Sequence, residues 1–291
     1  MSNPREIDQV TGVETTGHEW DGIKELNKPL PRWWLLTFYA TIIWAIGYMI
    51  AYPALPMLKG YTLGVLGYSQ RATVAAEIKT AANAQSATRD LLAKTPLAEI
   101  KKNPELLKLA NAGGLAAFQT NCAPCHGRGA VGFQGLGYPN LNDDDWIWGG
   151  KIEDIHKTIS VGIRSDHKEA RANQMPKYGI DKLLNDGQIN DAAEFVLSLS
   201  KKSTDAEAVK RGAVVFKEQC AECHGEDGKG KLDRGAPNLT DAIWLYGGGK
   251  ADILDSIRTG RGGSMPAWAG RLDDLTIKAL AVYVHSLGGG K

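Results

Sequence analysis

Cys122-Ala123-Pro124-Cys125-His126 and Cys220-Ala221-Glu222-Cys223-His224 decide how this chain is read. Both are C-x-x-C-H, the spacing of covalent c-type haem attachment. Two thiols one helical turn apart reach the vinyl groups of a porphyrin, and the next imidazole reaches its iron. The chain has four cysteines and these motifs use all of them, so none is left for a disulfide. A zinc ribbon would bring its Cys pairs closer together, without His after each. A redox dithiol would lie in a βαβ pattern, which is missing here. The expected cofactors are two covalently bound haem c groups, held by Cys122, Cys125, Cys220 and Cys223, with His126 and His224 as iron ligands.

Outward from the motifs the chain repeats itself. Gly114 and Gly212, Phe118 and Phe216, Cys122 and Cys220, Pro139 and Pro237, Asn140 and Asn238, Leu141 and Leu239, Asp143 and Asp241, Trp146 and Trp244, and Gly162 and Gly260 are all 98 residues apart. A constant offset means two copies of one module. Each copy predicts a helix leading into the motif (about 105–121 and 205–219), a Gly-rich loop, a helix from near Ile152 or Ala251, a loop with Met-Pro, and a closing amphipathic helix (about 187–199 and 273–287). No run alternates for long, so the fold class is all-α with large loops.

Residues 33–52 contain no charge, and none falls between Arg32 and Lys59. Twenty residues at about 1.5 Å rise cover the roughly 30 Å hydrocarbon core of a bilayer. Trp33 and Trp34 stand at one end and Tyr48 and Tyr52 at the other, where interfacial aromatics belong. Thirty-two residues precede the run, too many for a cleaved signal peptide. Lys24, Lys28 and Arg32, with Arg5 further out, precede it; only Lys59 and Arg71 follow closely. That bias puts the N-terminus in the cytoplasm and the haem motifs in the periplasm of a bacterial inner membrane, with a single pass. The expected organisation is a polar cytoplasmic tail without its own core (1–32), a transmembrane helix (33–56), a helical connector (57–104) and two haem modules (105–201 and 202–291). Within the connector an Ala-rich helix is expected over 65–93, ending before Pro96. The net charge of +1 gives no field to recruit nucleic acid.

A haem iron needs a second axial ligand or an open face. Of five Met, Met1, Met49 and Met57 lie at the start or around the span; Met175 and Met265 fall one per repeat, each followed by Pro. That arithmetic makes Met175 and Met265 the expected axial ligands opposite His, a choice that raises the potential relative to a second His. His167 is the rival to Met175. His18 lies in the N-terminal tail, and His156 and His285 have no counterpart in the other copy. Gly127-Arg128-Gly129-Ala130-Val131-Gly132 matches G-x-G-x-x-G but follows a haem motif, so it reads as backbone room and not a dinucleotide loop. Asp143-Asp144-Asp145 reads as a solvated turn.

Each half resembles a class I cytochrome c: C-x-x-C-H, a later Met, and Gly137-Tyr138-Pro139-Asn140-Leu141 or Gly235-Ala236-Pro237-Asn238-Leu239 in place of that family's G-x-P-N-L. The resemblance implies that the carbonyls of Pro139 and Pro237 accept from the ring N–H of His126 and His224. The whole chain, through Glu6-Ile7-Asp8, Trp20 to Asn27, Pro29 to Trp34, the span and both modules, resembles the dihaem P subunit of bacterial cbb3-type cytochrome c oxidases. That implies an electron-transfer role with no catalytic residues of its own. The implied partners are a heme–copper oxidase catalytic subunit, a monohaem cytochrome c subunit, a donor cytochrome c or cytochrome bc1 complex, and membrane lipid. A free-standing membrane-tethered dihaem carrier is the alternative. A dihaem peroxidase or a gas sensor would need an iron with an open or displaceable face.

Overall fold

The computed structural model describes residues 6–290. Arg5, counted above with the basic flank, and Met1 lie outside them. The described residues form two compact units, one through Ala84 and one from Gln85.

The first unit opens with an antiparallel hairpin, β1 (Thr15–Trp20) and β2 (Ile23–Leu26), closing with Trp20 opposite Ile23. The segment expected to be a tail without its own core therefore carries regular backbone pairing that was not expected. Asp21 and Gly22 both take positive φ, +49° and +83°, and Asp-Gly in that conformation is the strongest short-range hairpin signal. Thr15 is the one buried residue here, so the hairpin has regular backbone with scarcely any core. Helix α1 (Arg32–Ala51) starts after Pro31 and buries no side chain within the chain. It is long and apolar enough to cross a membrane. A short pair, β3 (Pro56–Met57) and β4 (Gly60–Tyr61), follows. Helix α2 (Gln70–Lys94) begins in the first unit and ends in the second, and its one buried residue is Leu92.

The second unit is helical: α3 (Leu97–Ile100), α4 (Pro104–Asn121), α5 (Ala123–His126), α6 (Ile152–Val161), α7 (Asp186–Leu199), α8 (Ala206–Gln219), α9 (Ala221–His224), α10 (Lys250–Thr259) and α11 (Asp274–Ser286). Starts are set by local chemistry. Asn103 accepts from the amides of Glu105 and Leu106 ahead of Pro104, and Asn185 and Gln188 form a reciprocal capping box on α7.

The packing does not follow the repeats. The first helix of repeat one, α4, packs on the last helix of repeat two, α11, while α7 closes on α8. Two cores result. One holds Leu106, Ala110, Phe118, Ile155, Ile159, Ile277 and Leu280; the other Ile189, Ala193, Val196, Phe216, Ile253 and Ile257. The repeated glycines mark the crossings. A Cβ on Gly114 would lie 2.4 Å from the Ala279 carbonyl oxygen, and one on Gly212 1.9 Å from that of Asp191. Phe118 meets Tyr283, and Phe216 meets Phe195, at 5.4 and 4.8 Å between ring centroids.

Candidate haem sites and their relatives

The two motifs are built alike. After α4 and α8 the chain turns at Cys122 and Cys220 into one short helical turn. There Cys125 and His126 donate their amides to the Cys122 carbonyl at 3.1 and 2.9 Å, and Cys223 and His224 repeat these bonds to Cys220. This turn sets both sulfurs and the imidazole on one side. The loop then folds back: Nδ1 of His126 lies 3.2 Å from the Pro139 carbonyl oxygen, and Nδ1 of His224 lies 3.0 Å from that of Pro237. With Nδ1 donating, Nε2 is left with its lone pair for a metal. Burial lowers both histidine pKa values, the proline carbonyls opposing it, which favours the neutral ligand form.

Burial pushes the Cys122 and Cys220 thiols up to about 11, each neighbouring motif cysteine adding to the rise. A redox dithiol needs a lowered pKa to attack as thiolate, so Cys122 and Cys220 have the wrong environment for disulfide exchange. Among the described residues no group of three His, Cys, Asp or Glu side chains is placed to hold a bare metal ion.

The methionines are exchanged between repeats. Met265 packs in the core that holds Cys122 and Ala123, and Met175 in the core that holds Cys220 and Ala221. One methionine per repeat therefore does not mean that each serves its own repeat's motif. Neighbours agree: Asn173 donates to the Arg234 carbonyl at 2.6 Å, and the Tyr178 hydroxyl donates to the Gln219 carbonyl at 2.5 Å, both beside the second motif. Burial, with Cys220, Cys223 and Glu222 nearby, pushes Tyr178 up to about 12. Met265 pairs its backbone with Ile163 in both directions at 2.9 Å. His167 is engaged in its own loop, its Nδ1 accepting from the Glu169 amide at 3.1 Å.

A porphyrin fits this donor set. Two buried donors, Trp244 Nε1 and Arg171 Nε, have no partner among the described residues, and a haem brings carboxylates that such donors bond. The G-x-G-x-x-G stretch supplies the fold-back: Gly127 ends the His126 turn at φ +77°, and the Gly132 amide donates to the His126 carbonyl at 2.9 Å. The acidic run differs from a solvated turn. Asp143 and Asp145 are half-buried, and the Asp145 carboxyl is pushed up to about 6 by burial and by Asp241, Asp143 and Asp144.

Sequence reading passed over four side chains. Trp148 and Tyr246 share the 98-residue offset, and Arg171 and Arg261 each stand four residues before a candidate methionine. The guanidinium carbon of Arg171 lies 5.1 Å from the Trp148 ring centroid, and that of Arg261 5.4 Å from Tyr246.

Residues 12–59 match the family described as the N-terminal domain of cytochrome oxidase-cbb3, FixP. Residues 110–196 and 207–284 each match the family described as cytochrome c oxidase, cbb3-type, subunit III. The chain is 54% identical over 286 residues to the cbb3-type cytochrome c oxidase subunit FixP of Azorhizobium caulinodans, covering 98% of this chain and 96% of the relative. It is 52% identical over 295 residues to FixP of Bradyrhizobium sp., covering all of both, and 52% identical over 278 residues to subunit CcoP of Cereibacter sphaeroides, covering 95% of each. Two matched haem modules behind a matched N-terminal segment, and half identity along the whole length, make this chain a member of the FixP/CcoP family of cbb3-type cytochrome c oxidase subunits.

Proposed function

We propose that the chain is a membrane-anchored dihaem cytochrome c that passes electrons from a donor cytochrome c to the catalytic core of a cbb3-type heme–copper oxidase. The observation that carries this is the pair of equivalent sites, each with a C-x-x-C-H turn, a carbonyl-anchored imidazole and a methionine in the same core. Cys122 and Cys125 would hold one haem, with His126 and Met265 on its iron. Cys220 and Cys223 would hold the other, with His224 and Met175. Bound haem supplies one-electron chemistry. Pro139 and Pro237 hold the imidazoles neutral and oriented, and Met265 and Met175 would give each iron a second protein ligand, as an electron carrier without a substrate face needs.

Family membership supports assembly with the oxidase catalytic subunit and a monohaem cytochrome c subunit, with electrons arriving from a soluble cytochrome c or a cytochrome bc1 complex. The basic flank before α1 supports a cytoplasmic N-terminus and periplasmic haem modules. We read the chain as tail 1–32, span 33–56, connector 57–104 and sequence repeats 105–201 and 202–291, with α7 and α11 exchanged between the repeats' cores.

Gentle solubilisation followed by subunit analysis, haem quantitation and optical spectra tests this. The expected result is two haems c per chain, both low-spin His/Met in the reduced protein without carbon monoxide binding, co-purifying with a heme–copper subunit. A lone dihaem chain would make it a free-standing carrier. A high-spin haem would overturn the pure relay.

A further inference from the structure

Trp148 and Tyr246 sit at equivalent places in the two repeats, and each ring lies against the other repeat's G-x-P-N-L loop. A Cβ on Gly235 would fall 2.1 Å from the Trp148 ring, and one on Gly137 would fall 2.5 Å from the Tyr246 ring. Gly235 is two residues before Pro237, whose carbonyl faces His224; Gly137 is two before Pro139, whose carbonyl faces His126. The amides of Gly135 and Gly137 also donate to the Leu245 carbonyl, at 2.9 and 3.1 Å, beside Tyr246.

Each ring also touches a methionine segment. Arg171, four residues before Met175, stacks on Trp148; Arg261, four before Met265, stacks on Tyr246 and donates to its carbonyl at 3.1 Å. The Tyr246 hydroxyl would lie 3.4 Å from a Cβ on Gly263, two residues before Met265. Trp148 therefore contacts the loop that anchors the His224 imidazole and the segment before Met175, although Trp146, two residues away, packs in the core with Cys122. Tyr246 contacts both segments of the His126 site, while Trp244 packs in the core with Cys220.

We propose that Trp148 and Tyr246 are positioning residues that brace the two haem sites against each other, each ring fixing the imidazole-anchoring loop and the methionine segment of the opposite site and so the separation across which an electron passes between them. In that transfer one electron leaves a ferrous iron and reduces a ferric one; no bond forms or breaks, so distance, the difference in potential and reorganisation set its rate. A guanidinium stacked on an aromatic face is attracted by the ring quadrupole, and glycine at positive φ lets each ring reach the backbone.

The proposal rests on the crossed ligand assignment. Met265→His, read against chains lacking one cysteine pair, tests that assignment separately, before any ring variant is read. The experiment uses the full haem-loaded chain in detergent with Trp148→Leu, Tyr246→Leu and the aromatic controls Trp148→Phe and Tyr246→Phe. Chains lacking one cysteine pair (Cys122→Ala with Cys125→Ala, or Cys220→Ala with Cys223→Ala) assign each potential to its motif. Redox titration and pulsed EPR of the two ferric centres are the readouts. Trp148→Leu is expected to shift the potential of the haem on Cys220 and Cys223, Tyr246→Leu that of the haem on Cys122 and Cys125. Both should broaden the inter-haem distance distribution and slow inter-haem transfer several-fold, and the phenylalanine variants should recover most of this. Unchanged potentials and distances, or a shift confined to the haem of the variant's own repeat, would overturn the proposal. If a leucine variant retains no haem, Arg171→Lys or Arg261→Lys removes the planar stack on the ring while keeping the positive charge and a donor for the carboxylates these side chains also meet. A smaller shift at the same haem then supports the brace, and none refutes it.

Discussion

Gly132 and Gly230 show how single residues fix the iron-facing imidazoles. Both take positive φ, +67° and +80°, and a Cβ on either would lie 2.3 Å from the carbonyl oxygen just ahead of the key proline. Their amides donate to the carbonyls of His126 and His224 at 2.9 and 2.7 Å. Gly132→Ala and Gly230→Ala should each cost about 1–3 kcal/mol in backbone strain alone, read as a lower urea midpoint of the haem-loaded chain and as weaker haem retention. Met265→His should keep the covalent haem and lower the potential of the group on Cys122 and Cys125, leaving the other nearly unchanged, because imidazole favours ferric iron relative to a thioether. A redox titration showing the haem on Cys220 and Cys223 lowered instead would reverse the pairing. The motif cysteines and histidines stand out in sequence by local spacing, the candidate methionines by falling one per repeat, and the loop prolines only through the class I cytochrome c resemblance. The pairing of methionine with motif was not legible, because it joins residues 143 apart for Cys122 and Met265 and depends on which helix closes which core.

Among the elements, α11 does two jobs. It completes the core around the first motif, and its Lys278 amine donates to the carbonyls of Leu92, Ala93 and Thr95, at 3.1, 2.7 and 2.7 Å, at the end of α2. Those carbonyls have no intrahelical partner at a helix C-terminus. Lys278→Met keeps the aliphatic stem and removes the donor, so it should destabilise by about 1–3 kcal/mol, measured by equilibrium unfolding with the haem signal unchanged in the native baseline. The helices themselves were readable from periodicity and caps. The hairpin of β1 and β2 was missed although Asp21-Gly22 announced it, because a strand pair with almost no buried side chains lacks the alternation that marks strands. The close crossings at Gly114 and Gly212 left a trace only as a repeated glycine, which does not name the helix that approaches.

For the molecule as a whole, the repeats meet in an acidic cluster. Asp145, half-buried with Asp143, Asp144 and the other repeat's Asp241 around it, has its carboxyl raised from an ordinary 3.8 to about 6. A raised carboxyl binds its proton more tightly in the folded chain, so its favourable contribution is complete below the unfolded value and is lost as pH rises through about 6. Asp145→Asn should therefore raise the thermal midpoint at pH 7 and give no gain at pH 4 or below; equal gains at both would exclude the cluster as the cause. The exchange of α7 and α11 has a consequence for biogenesis. On the proposed topology and crossed pairing, Cys122 and Cys125 would cross the membrane well before Met265 and α11 are made. A porphyrin attached there at once would wait for its methionine until the far end of the polypeptide arrived. Completion of the earlier-made centre is thus tied to synthesis of nearly the whole chain, and a nonsense codon just ahead of Met265 would strand the upstream haem while sparing the downstream one.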